Sequence, residues 1–262
     1  MGYSPAMPSA LRRPTTRTAL IESRAVLELG AFAALTPALQ LTPRGDGHPV
    51  LVLPGLGATD ESTRPLRWFL GTRGYEAHGW ELGRSVGPSG RVRKGLETRL
   101  RALADERGRT VSIVGWSLGG IYARELARRN PTLVRGVVTL GSPFRSLDRL
   151  TRSDVPLQDS PLDGDHSGQI RRDIGRDDGG TAGVPSTAVY TRTDGVVPWQ
   201  ACVERPGPRR ESIEVVGSHI GLGHNPAVVV VVADRLAQPE GRWAPFRPPR
   251  GLSRLFPDPS AP

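Results

Sequence analysis

Residues 111–120 read Val111-Ser112-Ile113-Val114-Gly115-Trp116-Ser117-Leu118-Gly119-Gly120, an apolar run that passes into Gly-x-Ser-x-Gly. Residues 121–129 then continue with helix-forming side chains, so strand, tight turn and helix follow one another. The glycine spacing has a physical reason. A serine on a sharp, strained turn leaves no room for a Cβ two residues before it or two after. In that setting Ser117 is a candidate nucleophile; the plain alternative is a glycine-rich βα turn that happens to hold a serine.

The same rhythm extends to both sides. Pro49 to Leu53 reads as a strand, followed by Pro54-Gly55-Leu56-Gly57 and a helix starting near Thr59 or Asp60, both good N-cap residues. Glu76 to Trp80 suits a short strand. Val92, Leu96, Leu100 and Leu103 mark one face of a helix that Gly108 stops. Val137 to Leu140, Thr187 to Thr191 and Ser212 to Val216 read as further strands. Asn225-Pro226 opens a last helix, although the β-branched run Val228 to Val232 suits a strand by propensity. Strands alternating with helices predict a mostly parallel central sheet with helices on both faces, an α/β fold.

Length fits one such domain, placed at 41–238, in a chain of 262 residues. Between residues 145 and 185 the rhythm fails among Asp, Arg, Gly and Ser, and the stretch reads as a polar cap or lid insertion. Residues 1–17 read as a flexible leader and 239–262 as a Pro-rich tail. Residues 18–40 read as an amphipathic helix, its apolar face formed by Leu20, Ala25, Leu27, Phe32 and Leu35 and its end set by Pro37. That face is expected on its own domain, with a peripheral membrane contact as the alternative.

The net charge of +9 raises the question of nucleic acid. Arginines are scattered through the chain, Lys94 is the single lysine, and no basic stripe interleaved with aromatics occurs, so no nucleic-acid partner is expected. Arg12-Arg13 ahead of an apolar stretch imitates an export signal, but Glu22 and Glu28 interrupt it. No run of 18 uncharged apolar residues occurs, so no spanning helix is expected. A lone Cys202 excludes an intrachain disulfide and fits a reducing, cytoplasmic setting.

A serine hydroxyl needs a base to take its proton and an acid to orient that base. Asp194, in Thr193-Asp194-Gly195-Val196-Val197-Pro198, follows a predicted strand and would emerge at the carboxyl edge of the sheet; its alternative role is an Asp-Gly turn. His219 and His224 follow Asp194 in the chain. His219, in Gly217-Ser218-His219-Ile220-Gly221-Leu222 directly after the last predicted strand, is the preferred base. The amide of Leu118 and that of Leu56 are the candidate oxyanion donors. Trp80, Trp116 and Trp199 either line an acyl pocket or belong to the core, and the core reading is preferred.

These four segments, Leu53 to Gly57, Gly115 to Gly120, Thr193 to Pro198 and Ser218 to Leu222, resemble the α/β-hydrolase superfamily, in particular small bacterial triacylglycerol lipases and esterases. The resemblance runs from about Val50 to Leu236. It implies the α/β-hydrolase fold, with Ser117, Asp194 and His219 as triad and an acyl ester with an apolar acyl group as substrate. No metal or organic cofactor is implied. One departure is Pro54, which stands where a histidine often opens the oxyanion segment, so the lipase assignment is weaker than that of an acyl hydrolase. Acyl transfer to another acceptor by the same triad, or a non-catalytic binding role on this scaffold, are the alternatives.

Overall fold

A computed structural model describes residues 15–145 and 180–257. Most of the expected leader, residues 146–179 of the expected cap and the last five residues of the tail lie outside the described residues. Strands β1 (Pro49–Leu53), β2 (Glu76–His78), β3 (Val111–Trp116), β4 (Val134–Leu140), β5 (Ser186–Tyr190) and β6 (Arg210–Glu214) form a sheet in the order β2-β1-β3-β4-β5-β6. Every pairing is parallel. The expected α/β sheet is therefore present, and each carboxyl end points to the same edge.

Alternation along the strands divides the core in two. Val50, Val52, Val114 and Val138 face helices α3 (Arg64–Thr72) and α6 (Pro226–Leu236), together with Phe32 and Leu39 of α2 (Ala25–Leu39). Leu51, Leu53, Ile113 and Val137 face α4 (Gly90–Arg107) and α5 (Leu118–Arg129). The valine run is the helix α6, buried at every position from Ala227 to Ala233. Burial on all sides removes the amphipathic signal, so propensity and periodicity alone cannot tell it from a strand. The cap resolves the ambiguity, because the Asn225 side chain accepts from the amides of Ala227 and Val228, which stabilises such a helix start by about 1 kcal/mol. Ser89 caps α4 in the same manner through the Val92 amide, and Gly108 ends it in the left-handed region at φ 57°.

Four expectations are corrected. Neither Thr59 nor Asp60 caps a helix with its side chain: a 3₁₀ turn covers Asp60–Thr63 before α3, and the Asp60 carboxylate accepts from the amides of Trp80 and Glu81. That brace also ends the predicted 76–80 strand early, at His78. Pro37 does not stop its helix, which continues to Leu39; with so little helix beyond it few bonds are lost, and Gln40 still donates to the Thr36 carbonyl.

The fourth correction concerns the N-terminal face. A short helix α1 (Thr16–Ile21) and a 3₁₀ turn (Glu22–Arg24) lead into α2. Leu20, Leu27 and Leu35, assigned to the inner face, are exposed, whereas Glu22, Ala25, Phe32 and Leu39 are buried and Glu28 is half-buried. The carboxylates turn inward because backbone amides wait there for an acceptor. Their partners lie in the site.

Candidate active site

The turn after β3 has the strain that the glycine pattern implied. Ser117 sits at φ 52°, ψ −119°, a conformation unusual for a residue with a Cβ, and α5 starts at the next residue. A Cβ on Gly115 would stand 2.4 Å from the Gly119 carbonyl oxygen, and one on Gly119 the same distance from that of Leu53. The serine amide donates to the Leu140 carbonyl of β4 at 2.8 Å, so the neighbouring strand fixes the turn.

The other two predicted side chains meet it. His219 Nε2 lies 3.1 Å from Ser117 Oγ, and His219 Nδ1 lies 2.7 Å from Asp194 Oδ2. Asp194 and His219 are both buried, while Ser117 is half-buried. The remaining Asp194 oxygen is occupied, accepting from the amides of Val196 at 2.8 Å and Val197 at 2.7 Å. Such a carboxylate cannot rotate freely, and its second oxygen stays aimed at the imidazole. The histidine main chain is equally constrained: the Trp116 indole donates to its carbonyl at 3.0 Å.

Leu56 lies in the turn after β1, pinned where the Gly57 amide donates to Ser85 and the Ala58 amide to Gly55. Gly55 lies against the serine, where a Cβ would come within 3.3 Å of the Ser117 Cβ. Leu118 is the first residue of α5, a position whose amide has no intrahelical acceptor. Among the described residues neither the Leu56 nor the Leu118 amide has a protein acceptor, so both are available as donors.

Sequence reading missed what stands behind the imidazole. Glu22 Oε1 accepts from the amides of His219 at 2.9 Å and Gly195 at 2.8 Å, and its Oε2 accepts from that of Ile220 at 2.8 Å. Glu28 accepts from the Ser218 amide at 2.8 Å and from the Asn225 side chain at 3.0 Å. Arg24 donates to Thr193 Oγ1 and to the Gly217 carbonyl. One available signal was charge inside an apolar stretch, because a carboxylate buried there must find donors. By sequence alone Glu22 and Glu28 argue only against an export signal.

The remaining candidates fall elsewhere. His224 Nε2 bonds to the Ala25 carbonyl, which ties it to α2 rather than to the serine. Trp80 is fully buried with its indole donating to Gly83, and Trp199 stacks on Tyr190 with ring centroids 5.6 Å apart. Trp116 is half-buried beside the site. A second serine, histidine and aspartate also join: His48 bonds through Nδ1 to Asp46 and through Nε2 to Ser112 at 2.8 Å. This group lies at the amino edge of the sheet, opposite Ser117. Ser112 lies within β3 and does not have the positive φ of Ser117, and Asp46 also holds Arg109 and Arg135, as expected of a structural brace.

No family model matches the chain. It is 28% identical over 144 residues to a pimeloyl-[acyl-carrier protein] methyl ester esterase of Shewanella woodyi, covering 54% of each chain. It is 27% identical over 154 residues to a triacylglycerol lipase of Burkholderia plantarii, covering 53% of this chain and 43% of that one. The matched region spans about half the length of these curated relatives. Among solved structures, a mature lipase of Bacillus licheniformis superposes with a TM-score of 0.55 at 16% identity, over 76% of this chain and 95% of that one. The parallel sheet, the strained elbow after β3 and these likenesses make the chain an α/β-hydrolase by fold, similar in sequence to bacterial esterases and lipases.

Proposed function

We propose that the protein hydrolyses carboxylic esters through an acyl-enzyme on Ser117. The observation that carries this reading is the unbroken hydrogen-bonded line from Ser117 Oγ through His219 to Asp194 at the carboxyl edge of the sheet. His219 takes the serine proton as Oγ attacks the ester carbonyl, and Asp194 holds the ring in the tautomer with hydrogen on Nδ1. The amides of Leu56 and Leu118 stabilise the oxyanion. The imidazolium gives its proton to the departing alcohol. Water, activated by the same imidazole, then releases the acid. Esterase and lipase relatives support the reaction class.

An apolar acyl group is the substrate half this surface fits best. Leu56, Val196 and Ile220 are exposed on the three loops that carry the oxyanion amide, the acid and the base. Treatment with a fluorophosphonate followed by mass spectrometry should place the adduct on Ser117. A p-nitrophenyl ester series of rising acyl length should show kcat/KM climbing from acetate to a longer acyl group. An adduct elsewhere, with turnover persisting in Ser117→Ala, would refute the reading.

A further inference from the structure

In the N-terminal segment Glu22 is buried and Glu28 half-buried. Helix α2 and the turn before it turn these carboxylates inward beside the buried Ala25, Phe32 and Leu39, while Val26, Leu27 and Leu35 lie in solvent. Five donors converge on the two carboxylates, and all belong to the loop carrying Asp194 or to the segment from Ser218 to Asn225 around His219. Glu22 alone spans both loops, through Gly195 and through His219 with Ile220. Gly221 keeps the space open, since a Cβ there would stand 1.9 Å from Glu28 Oε2.

We propose that Glu22 and Glu28 are positioning residues for the Ser117 reaction, clipping the acid loop to the histidine loop from behind so that the imidazole stays between Asp194 and the serine. The inference rests on the ester-hydrolase reading. A carboxylate suits the task because it only accepts, and one oxygen can take two amides, as Glu22 Oε1 does from Gly195 and His219. In Glu22→Gln the nitrogen would face an amide N–H in place of an acceptor. One clip would then open while the side chain keeps its shape. Neither glutamate touches Ser117, so the loss falls on the alignment of the imidazole rather than on substrate binding.

The test uses the full chain and compares Glu22→Gln, Glu28→Gln and wild type. Steady-state turnover of p-nitrophenyl butyrate is measured well below each melting temperature, beside the rate at which a fluorophosphonate labels Ser117. Expected is a fall in kcat of about tenfold to a hundredfold for Glu22→Gln and a smaller fall for Glu28→Gln, with KM within about twofold. Labelling should slow in parallel. Wild-type kcat and labelling rate in both variants, whatever the melting temperature does, would reduce the glutamates to a structural role and overturn the proposal. Should Glu22→Gln not fold, Glu28→Gln decides by the same criteria. Wild-type protein that takes no label at Ser117 would instead bring down the hydrolase reading, and this proposal with it.

Discussion

The Trp116 indole donates to the carbonyl of His219, joining the residue before the serine to the residue that faces it. The bond crosses from the end of β3 to the loop after β6, so elbow and imidazole move together. Trp116→Phe keeps most of the apolar contact and deletes this donor. A neutral hydrogen bond is worth about 1 kcal/mol net, so kcat/KM should fall by roughly fivefold to tenfold with a melting temperature within a few degrees of wild type. Ester kinetics beside thermal melts check it; unchanged kinetics would show that the bond is dispensable.

His219 and His224 make opposite predictions. His219→Ala removes the group 3.1 Å from the serine hydroxyl and should lower kcat by roughly 10⁵- to 10⁶-fold. His224→Ala removes a bond to the Ala25 carbonyl and should keep most of the activity at some cost in stability. Steady-state rates of the two variants at matched folded concentration decide between them.

Gly119 has no room for a methyl group. The 2.4 Å approach to the Leu53 carbonyl involves main chain on both sides, which cannot yield as a flexible side chain would. Gly119→Ala should destabilise by about 2–3 kcal/mol or more and shift β1 away from the elbow. A melting temperature lower by roughly 5–10 °C, with activity lost in the folded fraction as well, is the expected outcome.

Acid should weaken the brace at the amino edge of the sheet. Burial lowers the His48 pKa below its ordinary 6.5, and the bond to Asp46 only partly offsets this. For Asp46, burial acts upward but is outweighed by the bonds from His48 and Arg135, leaving its carboxyl well below the usual range. Both groups therefore bind protons more readily once unfolded, so stability falls with pH, first below about 6.5 through His48 and again below about 4 through Asp46. Thermal melts from pH 8 to pH 3 should show both losses, and His48→Gln should flatten the first.

Cys202 should be silent to thiol reagents. Its side chain is buried, and burial pushes the thiol pKa well above its ordinary value with the Asp194 charge adding to the shift. Iodoacetamide at pH 8 should label it only after denaturation. Rapid alkylation of the native protein would show that the strip of chain beside the acid loop opens.

Much of this arrangement was legible because it depends on local patterns. Alternating strands and helices, glycines around a serine, and an acid or histidine directly after a strand are written into short windows, and the sheet brings their ends to one edge. The inner face of α2 was not legible. Its apolar residues pointed to a face holding Leu20, Leu27 and Leu35, which lie in solvent, and what turned it was a set of amides supplied by loops some 190 residues away. Asp60 was misread for the same reason, a good cap by local rules but recruited by Trp80 and Glu81. His48 shows the converse hazard, since residue types alone would have allowed a second triad at the wrong edge of the sheet.

The bond between Glu22 and the His219 amide closes a loop of 197 residues. During synthesis the serine elbow emerges while the imidazole that activates it has yet to be translated, and the glutamate that braces that imidazole has been waiting since the first turns of chain. A growing polypeptide thus completes the Ser117 turn about a hundred residues before His219 exists, and the proposed relay can close only once β6 and the loop after it have been made.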